Sequence, residues 1–305
     1  MAKVSVIVPS RNEGFLQATV DDLLAKASGE VEILPILDGY EPNPPLTEHP
    51  QVRPIRTKPL GLRNSVNVGA AAATGAYLMK VDAHCMFDPG YDETLQRDCD
   101  ADWLVVPRRM SLDPFTWAIA VTGRAPVDYE FIAYPYDTIN EAVRMGNVWK
   151  DRARRRREVL LDEDMSFQGS CWFCHTDYFR RLGPLEEQGW GTFVLEPEEL
   201  GNKVWLSGGK VMVNKRLWYA HWHKGKQHGR GYFINRRELI RGRQHHVKFF
   251  MANGWLPRWP AQVHPYPWLI EHFWPVPTWP ENALSQFNAE GAWIGPTTPR
   301  GEYVL

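Results

Sequence analysis

An aspartate and a histidine stand two residues apart where an apolar run ends. The run is YLMKV at residues 77–81, and Asp82, Ala83 and His84 follow it directly. Carboxylate oxygens and imidazole nitrogens are ligands for divalent metal ions, and residues i and i+2 of an extended chain lie on the same side. The pattern allows two hypotheses, a metal site at the end of a buried strand or polar residues that only terminate the strand.

The elements that would carry these residues alternate between strand-like and helical patterns. They are VSVIVP (4–9), GFLQATVDDLLAKA (14–27), VEILPILDG (31–39), GLRNSVNVGAAAATG (61–75) and AYLMKVDAH (76–84). This order predicts an α/β fold with a Rossmann-like, mostly parallel sheet flanked by helices. Ligands of such sheets bind beyond the carboxyl ends of the strands, and Asn12, Asp38 and Asp82 each follow a strand-like run.

The rest of the chain is less uniform. Residues 110–165 lack a regular pattern, and we expect a mobile loop at RARRRR (152–157). Order resumes with FQGSCWFCHTDYFRRLG (167–183), a helix between glycines in GWGTFVLEPEELGNKVWLSGG (189–209), and the strand KVMVNKRLWYAHWH (210–223). Residues 255–280 hold five Trp and seven Pro, which suits neither helix nor strand. We expect this tail to wrap the domain with its aromatic side chains in surface grooves.

Composition limits the class of protein. The 305 residues are 44% apolar, enough for a substantial core, and contain no run of 18 apolar residues. The N-terminus reaches VSVIVP without the pattern of a secretory signal, and four scattered cysteines do not form a disulfide framework. These features predict a soluble cytoplasmic protein with reduced thiols.

Charge is distributed unevenly, although the net charge is only -1. Residues 1–202 contain 21 Lys and Arg against 31 Asp and Glu, whereas residues 203–248 contain 12 basic residues and a single acid, Glu238. A segment this basic indicates an anionic partner such as a nucleotide, a nucleic acid or a membrane surface.

Several motifs resemble one enzyme family. VSVIVPSRNE, LDG and GLRNSVNVGAAAATGAYLMKVDAHC resemble the nucleotide-sugar half of GT-A glycosyltransferases of the family 2 type. The DAHC motif is most similar to the polypeptide N-acetylgalactosaminyltransferases, which carry Asp-x-His where most relatives have Asp-x-Asp. GSCWFCHTDYFRRLG, GWGTFVLEPEELGNKVWLSGG and His221 match the second half of that family in order and spacing, so the resemblance spans residues 3–224.

The resemblance implies a domain organisation and a metal site. We expect a GT-A catalytic domain at residues 1–230, with a nucleotide-binding half (1–110) and an acceptor half (111–230). Residues 231–305 would form a basic, then Trp- and Pro-rich, extension. Asp82, His84 and His221 would bind Mn²⁺ or Mg²⁺, which neutralises the diphosphate of a UDP-sugar during transfer.

The resemblance also implies a set of donor-binding residues. Asp38 would accept a hydrogen bond from the uracil base, and Gly61 would let the backbone approach the ligand closely. The alternative is that these residues only form turns. The complete set is Pro9, Arg11, Asn12, Glu13, Asp38, Gly61, Arg63, Asn64, Asp82, Gly169, His223 and Lys224.

Candidate catalytic residues come from the same comparison. Glu196, Glu199 and Trp190 occupy the positions of the family's Trp-Gly-Gly-Glu-Asn-x-Glu motif, but here the spacing after Trp190 is longer and Pro197 replaces Asn. We expect a retaining transfer, which can proceed without a base on the acceptor hydroxyl. The alternative is an acidic helix N-terminus stabilised by the helix dipole.

Two further motifs have simpler explanations. CWFCH (171–175) has the spacing of a haem-attachment motif, but it lies in an apolar run, so we expect core. HWHKGKQH (221–228) could bind zinc through His221, His223 and His228, although His221 already has a partner set in Asp82 and His84.

The acceptor is predicted from charge and aromatic content. Segment 224–248 interleaves basic and aromatic residues, and Arg154–Arg157 adds a second basic run. Such surfaces bind phosphate backbones and stack bases, so we expect transfer to 5-hydroxymethylpyrimidine in DNA, as in some bacteriophage enzymes. The alternatives are a polyprenyl-phosphate, cell-surface glycan or protein acceptor, a solvated arginine face, and a catalytically inactive GT-A binding module.

Overall fold

The computed structural model describes residues 1–134, 146–191, 193, 195–224, 235–252 and 261–294. The strands are β1 Val4–Ser10, β2 Val31–Asp38, β3 Ile55–Thr57, β4 Tyr77–Val81, β5 Cys85–Phe87, β6 Trp103–Asp113, β7 Ala118–Ile119, β8 Glu130–Ile132, β9 Gly146–Val148, β10 Leu161–Glu163, β11 Cys171–His175 and β12 Lys210–His221. The α-helices are α1 Leu16–Lys26, α2 Leu62–Ala72, α3 Tyr91–Arg97, α4 Lys150–Arg155, α5 Thr176–Leu182, α6 Glu196–Leu206, α7 Arg236–His246 and α8 Tyr266–His272. A π-helical turn (Val247–Ala252) and a 3-10 helix (Ala283–Gln286) complete the regular structure. Among the described residues, none of the helices has the length and apolar character needed to span a membrane.

One ten-stranded sheet organises these elements. Its order is β10-β12-β6-β11-β4-β1-β2-β3, with β5 paired to β12 and β7 to β6. β1 pairs in parallel with β2 and β4, as do β2 with β3 and β6 with β12. Antiparallel β11 joins the two parallel groups. The predicted α/β class, with a sheet flanked by helices, is confirmed.

The central strands are buried because helices cover both faces of the sheet. Alternate side chains of β1 enter different clusters: Ile7 packs with Val66 of α2, whereas Val6 and Val8 pack with Val20 of α1. All eight residues of β2 are buried as well. This burial explains why β1, β2 and β4 read as nearly continuous apolar runs in the sequence.

CWFCH is a core segment, as expected. It forms β11, in which Cys171, Trp172, Phe173 and Cys174 are buried. All four cysteines of the chain are free and buried.

Two expectations about irregular segments were wrong. The RARRRR run begins inside α4, and Arg156 at the end of that helix pairs with Asp162 at 2.6 Å. The tail contains α8, and its Trp279 is only 6% exposed. Trp279 donates a hydrogen bond to the carbonyl of Ile132 at 2.8 Å, so this side chain forms part of the core instead of filling a surface groove, whereas Trp274 is 40% exposed.

Close packing of α2 on β1 predicts a stability effect at Gly69. A Cβ at this position would lie 2.4 Å from Ile7 Cγ2, so Gly69→Ala forces one element to move. Overpacking of this kind costs about 1–3 kcal/mol of unfolding free energy, which urea denaturation followed by circular dichroism would measure. Ala71→Ser, at an exposed position of the same helix, should stay within about 0.5 kcal/mol of the parent. Equal stability of Gly69→Ala and the parent would contradict the packing.

Candidate metal centre

Three metal-ligating side chains converge at the end of β4. The ligand atoms of Asp82, His84 and His221 all lie within 4.8 Å of one another. The Nε2 atoms of the two histidines are 3.1 Å apart, and His221 Nε2 is 3.2 Å from Asp82 Oδ2. Ligand atoms on an octahedral ion with bonds of about 2.1 Å are about 3 Å apart. The spacing therefore suits one divalent ion, and the three residues predicted as metal ligands do come together.

A turn and a strand pairing create this arrangement. The chain leaves β4, turns through residues 82–84 and enters β5, which pairs antiparallel with the end of β12 so that Cys85 faces His221. The amide of Asp82 donates to the carbonyl of Ser170 at 2.9 Å, and the amide of Trp222 donates to the carbonyl of His84 at 3.2 Å. Backbone hydrogen bonds thus hold together ligands that are 137 residues apart in sequence.

Lys80 gives the two oxygens of Asp82 different partners. Its Nζ lies 2.7 Å from Asp82 Oδ1 and 3.3 Å from Glu196 Oε2, and it donates to the carbonyl of Gly169. Burial alone would lower the pKa of the Lys80 ammonium, but the carboxylates of Asp82 and Glu196 outweigh burial and raise it. Asp82 Oδ1 is therefore paired with a lasting positive charge, and Oδ2 is the oxygen that faces His221.

Glu13 orients His84. Its Oε2 lies 2.8 Å from His84 Nδ1 and 2.5 Å from Lys224 Nζ. A carboxylate accepts a hydrogen bond, so Nδ1 of a neutral His84 carries the proton and Nε2 keeps its lone pair for a metal. Glu13 and Lys224 were predicted at the donor, and the structure pairs them with each other beside a metal ligand.

The protonation states suit metal binding. Burial lowers the pKa of His221 to about 3, so its imidazole is neutral near pH 7. Burial would raise the pKa of Asp82, but Lys80 and His221 hold that pKa well below the usual range. His223 follows as an outer neighbour, with Nε2 3.5 Å from His221 Nδ1. His228, the remaining histidine of the zinc alternative, lies outside the described residues.

The residues predicted to border the uridine lie at the carboxyl ends of β1 and β2. Asp38 is 4% exposed, and its carboxylate accepts hydrogen bonds from the amides of Leu60 at 2.5 Å and Gly61 at 3.1 Å. Gly61 has φ 87°, a left-handed conformation that favours glycine, immediately before α2. Asp38 thus holds the start of α2, and its contact with a base stays a prediction.

Four other donor-site candidates lie near this edge or on α2. Arg11 Nη1 is 3.6 Å from Asp38 Oδ2. Asn12 is exposed and has φ 51°, which makes it the turn residue after β1. Pro9 and Asn64 are half-buried. Their contacts with a nucleotide also stay predictions.

Arg63, Glu199 and Trp190 lie in the core, not at a ligand edge. Arg63 and Glu199 are 1% and 0% exposed and form an ion pair, which Lys203 joins at 2.9 Å from Glu199 Oε1. The Arg63 guanidinium stacks over Trp190 at 4.7 Å from the ring centroid. These three side chains therefore contact one another, and the predicted roles of Arg63 at the nucleotide and of Glu199 and Trp190 in catalysis stay predictions. The buried carboxylate of Glu199 and the buried guanidinium of Arg63 compensate each other's charge.

Glu196 is connected to the metal ligands but is itself covered. It is 1% exposed, accepts a hydrogen bond from Trp172 Nε1 at 2.5 Å, and pairs with Lys80. A Cβ on Gly169 would lie 2.6 Å from Glu196 Oε2. A larger residue at this position, in the loop before β11, would therefore crowd the start of α6. Glu196 and Gly169 thus support Asp82 through Lys80.

Comparisons with known proteins agree with this geometry. The glycosyl transferase family 2 model matches residues 5–183, more than half of the chain. The chain belongs to this family. The predicted resemblance to family 2 and to the N-acetylgalactosaminyltransferases is thereby confirmed.

Individual relatives are distant. A probable N-acetylgalactosaminyltransferase 7 from Caenorhabditis elegans is 24% identical over 226 residues, which are 68% of this chain and 37% of that protein. A crystal structure of GalNAc-T7 with UDP, GalNAc and Mn²⁺ matches with a TM-score of 0.62 at 18% identity, over 82% of this chain and 49% of that one. S. aureus TarS 1–349 in complex with UDP-GlcNAc gives a TM-score of 0.48 at 15% identity, over 81% and 66% of the two chains. The GalNAc-T7 match establishes the shared GT-A fold, and this chain spans less than half the length of both GalNAc-T7 relatives.

Sequence reasoning missed one residue of this family 2 centre, Lys80, and the role of another, Glu13. Lys80 interrupts an apolar strand two residues before Asp82, and the period of two places both side chains on one face. A lysine inside a buried strand was a usable signal, because such an ammonium requires carboxylate partners. Glu13 was recognised, but its role beside His84 depends on a contact between residues 71 apart.

We predict that Glu13→Ala weakens metal binding by freeing the His84 ring. Loss of an outer hydrogen-bond partner typically lowers metal affinity about 10–100-fold, and Mn²⁺ titration followed by electron paramagnetic resonance would measure it. In metal-free protein, ¹⁵N NMR should show His84 protonated at Nδ1 in the parent and a tautomer mixture in the variant.

Two further variants serve as controls for Glu13→Ala. Glu13→Gln keeps an acceptor oxygen and should retain most of the affinity. Glu41→Gln removes an exposed carboxylate that pairs with Arg56, and it should bind Mn²⁺ like the parent. Parental Mn²⁺ affinity in Glu13→Ala would show that Glu13 does not orient His84.

Proposed function

We propose that this protein is a metal-dependent glycosyltransferase that moves a sugar from a UDP-sugar to a hydroxyl acceptor. The observation that carries the proposal is the cluster of Asp82, His84 and His221. It lies where β4 and β12 end, in a chain of glycosyl transferase family 2. The solved GalNAc-T7 relative binds UDP and Mn²⁺, which supports the same donor and ion here, with Mg²⁺ as the alternative ion.

The chain's own residues prepare the site. Asp82 Oδ2 and the Nε2 atoms of His84 and His221 would hold the ion, while Lys80 and Glu13 fix which atoms face it. The bound ion would neutralise negative charge that develops on the diphosphate leaving group. The uridine would lie near Pro9, Arg11, Asn12, Asp38, Gly61 and Asn64, with Gly169, His223 and Lys224 nearer the sugar diphosphate.

A retaining outcome belongs to this proposal. Glu196 and Glu199 are both committed to ion pairs with Lys80, Arg63 and Lys203. Neither is placed to remove a proton from an acceptor hydroxyl, and a retaining transfer does not require such a base.

The acceptor that we propose is DNA bearing 5-hydroxymethylpyrimidine. The enzyme would then be encoded by a phage and act in the host cytoplasm. Arg237, Arg241 and Lys248 are exposed along α7 and the π-helical turn after it. Arg243 is half-buried and turns inward, and residues 225–234 of the basic segment lie outside the described residues. Arg154, Arg155 and Arg157 are exposed. Arg154 and Arg155 pair with Asp151, and Arg157 pairs with Glu158.

Other acceptors remain outcomes of the same assay. A polyprenyl phosphate, a cell-surface glycan or a protein would each accept sugar in place of modified DNA. An inactive binding module would show no turnover with any UDP-sugar.

We predict UDP-sugar hydrolysis that requires Mn²⁺ and Asp82. Asp82→Ala should lower Mn²⁺ affinity by more than about 100-fold, because even outer partners of ligands are worth about 10–100-fold. Release of UDP from labelled UDP-sugars, with and without chelator, measures both effects. Asp177→Asn, at a 94% exposed side chain, should match the parent. Full activity of Asp82→Ala in chelator would disprove the metal assignment.

We predict that the product keeps the anomeric configuration of the donor. ¹H NMR of the first-formed glycoside or free sugar distinguishes the two outcomes through the coupling of the anomeric proton. An inverted product would refute the retaining assignment while leaving the glycosyltransferase proposal intact.

We predict that DNA binding depends on salt through the exposed face of α7. Each phosphate contact contributes about 0.9 to the slope of log K against log salt. Replacing Arg237, Arg241 and Lys248 by Ala should therefore flatten that slope by about 2–3, as measured by fluorescence anisotropy with hydroxymethylated DNA.

The control removes the same charge elsewhere. Arg53, Arg97 and Arg180 are exposed at other surfaces, and their replacement by Ala should leave the slope unchanged. Salt-insensitive binding, or transfer to lipid phosphate, glycan or peptide but never to modified DNA, would defeat the DNA acceptor.

A further inference from the structure

The three carboxylates in the first turn of α6 have different environments. Glu196 pairs with Lys80, and Glu199 pairs with Arg63 and Lys203. Glu198 takes part in none of the ion pairs among the described residues, although it is only 8% exposed. Burial, followed by the like charge of Glu130, raises the pKa of Glu198 to about 7. The positive charge of Arg243 offsets this rise only in part, and a buried carboxylate outside an ion pair has unused capacity to accept hydrogen bonds.

Glu198 shares a cradle with two other oxygens. Its Oε1 accepts a hydrogen bond from the amide of Gly146 at 3.0 Å. A Cβ at Gly146 would lie 3.0 Å from Glu198 Oε1, 3.3 Å from Glu130 Oε2 and 3.7 Å from Ser166 Oγ. Oxygens of three residues that are distant in sequence therefore converge beside Gly146, where a side chain would crowd Glu198.

Ser166 is the observation that points to a ligand. It is 1% exposed, and its Oγ lacks a hydrogen-bond partner in the structure. Arg243, which approaches Glu198 from α7, likewise has Nε and Nη1 without partners. Buried polar atoms are nearly always satisfied, so these groups indicate that a polar molecule completes the cluster.

Arg109 connects the cradle to segments next to the metal centre. Arg109 contacts Glu130 at 3.1 Å and also donates to Gln168, which precedes the Gly169–Ser170 loop behind Asp82. On the paired strands, Arg109 is opposite Tyr219, two residues before His221. Two residues of a strand span about 6.6 Å, so Arg109, which contacts Glu130 of the cradle, lies near the strand end that carries His221.

We propose that Glu130, Ser166 and Glu198 form a subsite for an uncharged hydroxyl of the acceptor, and this rests on the proposed function. The hydroxyl proton is donated to a carboxylate, and its oxygen accepts from Ser166 Oγ. Phosphate is excluded, because two carboxylates repel it at short range. The hydroxymethyl group of a modified pyrimidine and a sugar hydroxyl both have this chemistry, whereas phosphate groups of an acceptor would bind outside, on the basic face of α7.

Binding can be measured without turnover. The Gly146 amide donates to Glu198, so its ¹⁵N–¹H signal reports on the cradle. Methyl galactoside and 5-hydroxymethyl-2′-deoxycytidine would be titrated in turn, with inorganic phosphate as the charged comparison. We expect at least one neutral probe to shift the Gly146 signal saturably, and phosphate to leave it in place. No shift with either neutral probe would overturn the subsite.

Ser166→Ala separates binding from folding. Removing an unpartnered buried hydroxyl should leave the unfolding midpoint equal or higher, yet weaken probe binding and raise the acceptor's apparent KM about tenfold. Glu198→Gln should weaken binding likewise, and Asp177→Asn should change neither quantity. UDP-sugar hydrolysis should be parental in Asp177→Asn, and absence of hydrolysis in the parent protein would reject the proposed function instead of the subsite. Parental probe affinity in both Ser166→Ala and Glu198→Gln would reject the subsite.

Discussion

The buried ammonium group of Lys80 is the interaction on which the centre depends. It lies in the middle strand of the sheet, where an uncompensated charge would cost several kcal/mol, so carboxylates must come to it. Asp82 arrives from the end of the same strand, Glu196 from the start of α6, and the carbonyl of Gly169 from the loop before β11. One cation thereby fixes the relative positions of β4, α6 and that loop.

Pairing with charged partners also determines which side-chain atoms of Asp82 and His84 are left to bind a metal. Asp82 has one oxygen neutralised by Lys80 and one that faces the histidines. His84 has one nitrogen occupied by Glu13 and one that faces His221. Asp82 and His84 are therefore each held by a partner behind them, which presents a single donor atom to a metal and limits the entropy lost when the metal binds.

Charge pairing also explains why two predicted site residues, Arg63 and Glu199, contact each other in the core. Arg63 and Glu199 stand in motifs that indicate ligand binding, yet their side chains meet each other beneath Trp190. A motif fixes residue type and spacing, whereas the direction of a helical side chain depends on what packs against the helix. Glu196, Glu198 and Glu199 illustrate this, since adjacent positions in one turn face Lys80, Gly146 and Arg63 respectively.

The sequence by itself determined the strand and helix order of the first half, because burial on both faces requires long apolar runs and helices require their own period. It also predicted the three side chains that cluster as candidate metal ligands, since Asp82 and His84 are local and His221 follows at the family's spacing. Only the tertiary structure decided the roles of Lys80, Glu13, Arg63 and Glu199, because each depends on an ion pair between distant segments. The helix in the tail and the burial of Trp279 and Trp293 were likewise decided by packing. A segment rich in proline and tryptophan has no hydrophobic periodicity, so its sequence does not indicate which side chains enter the core.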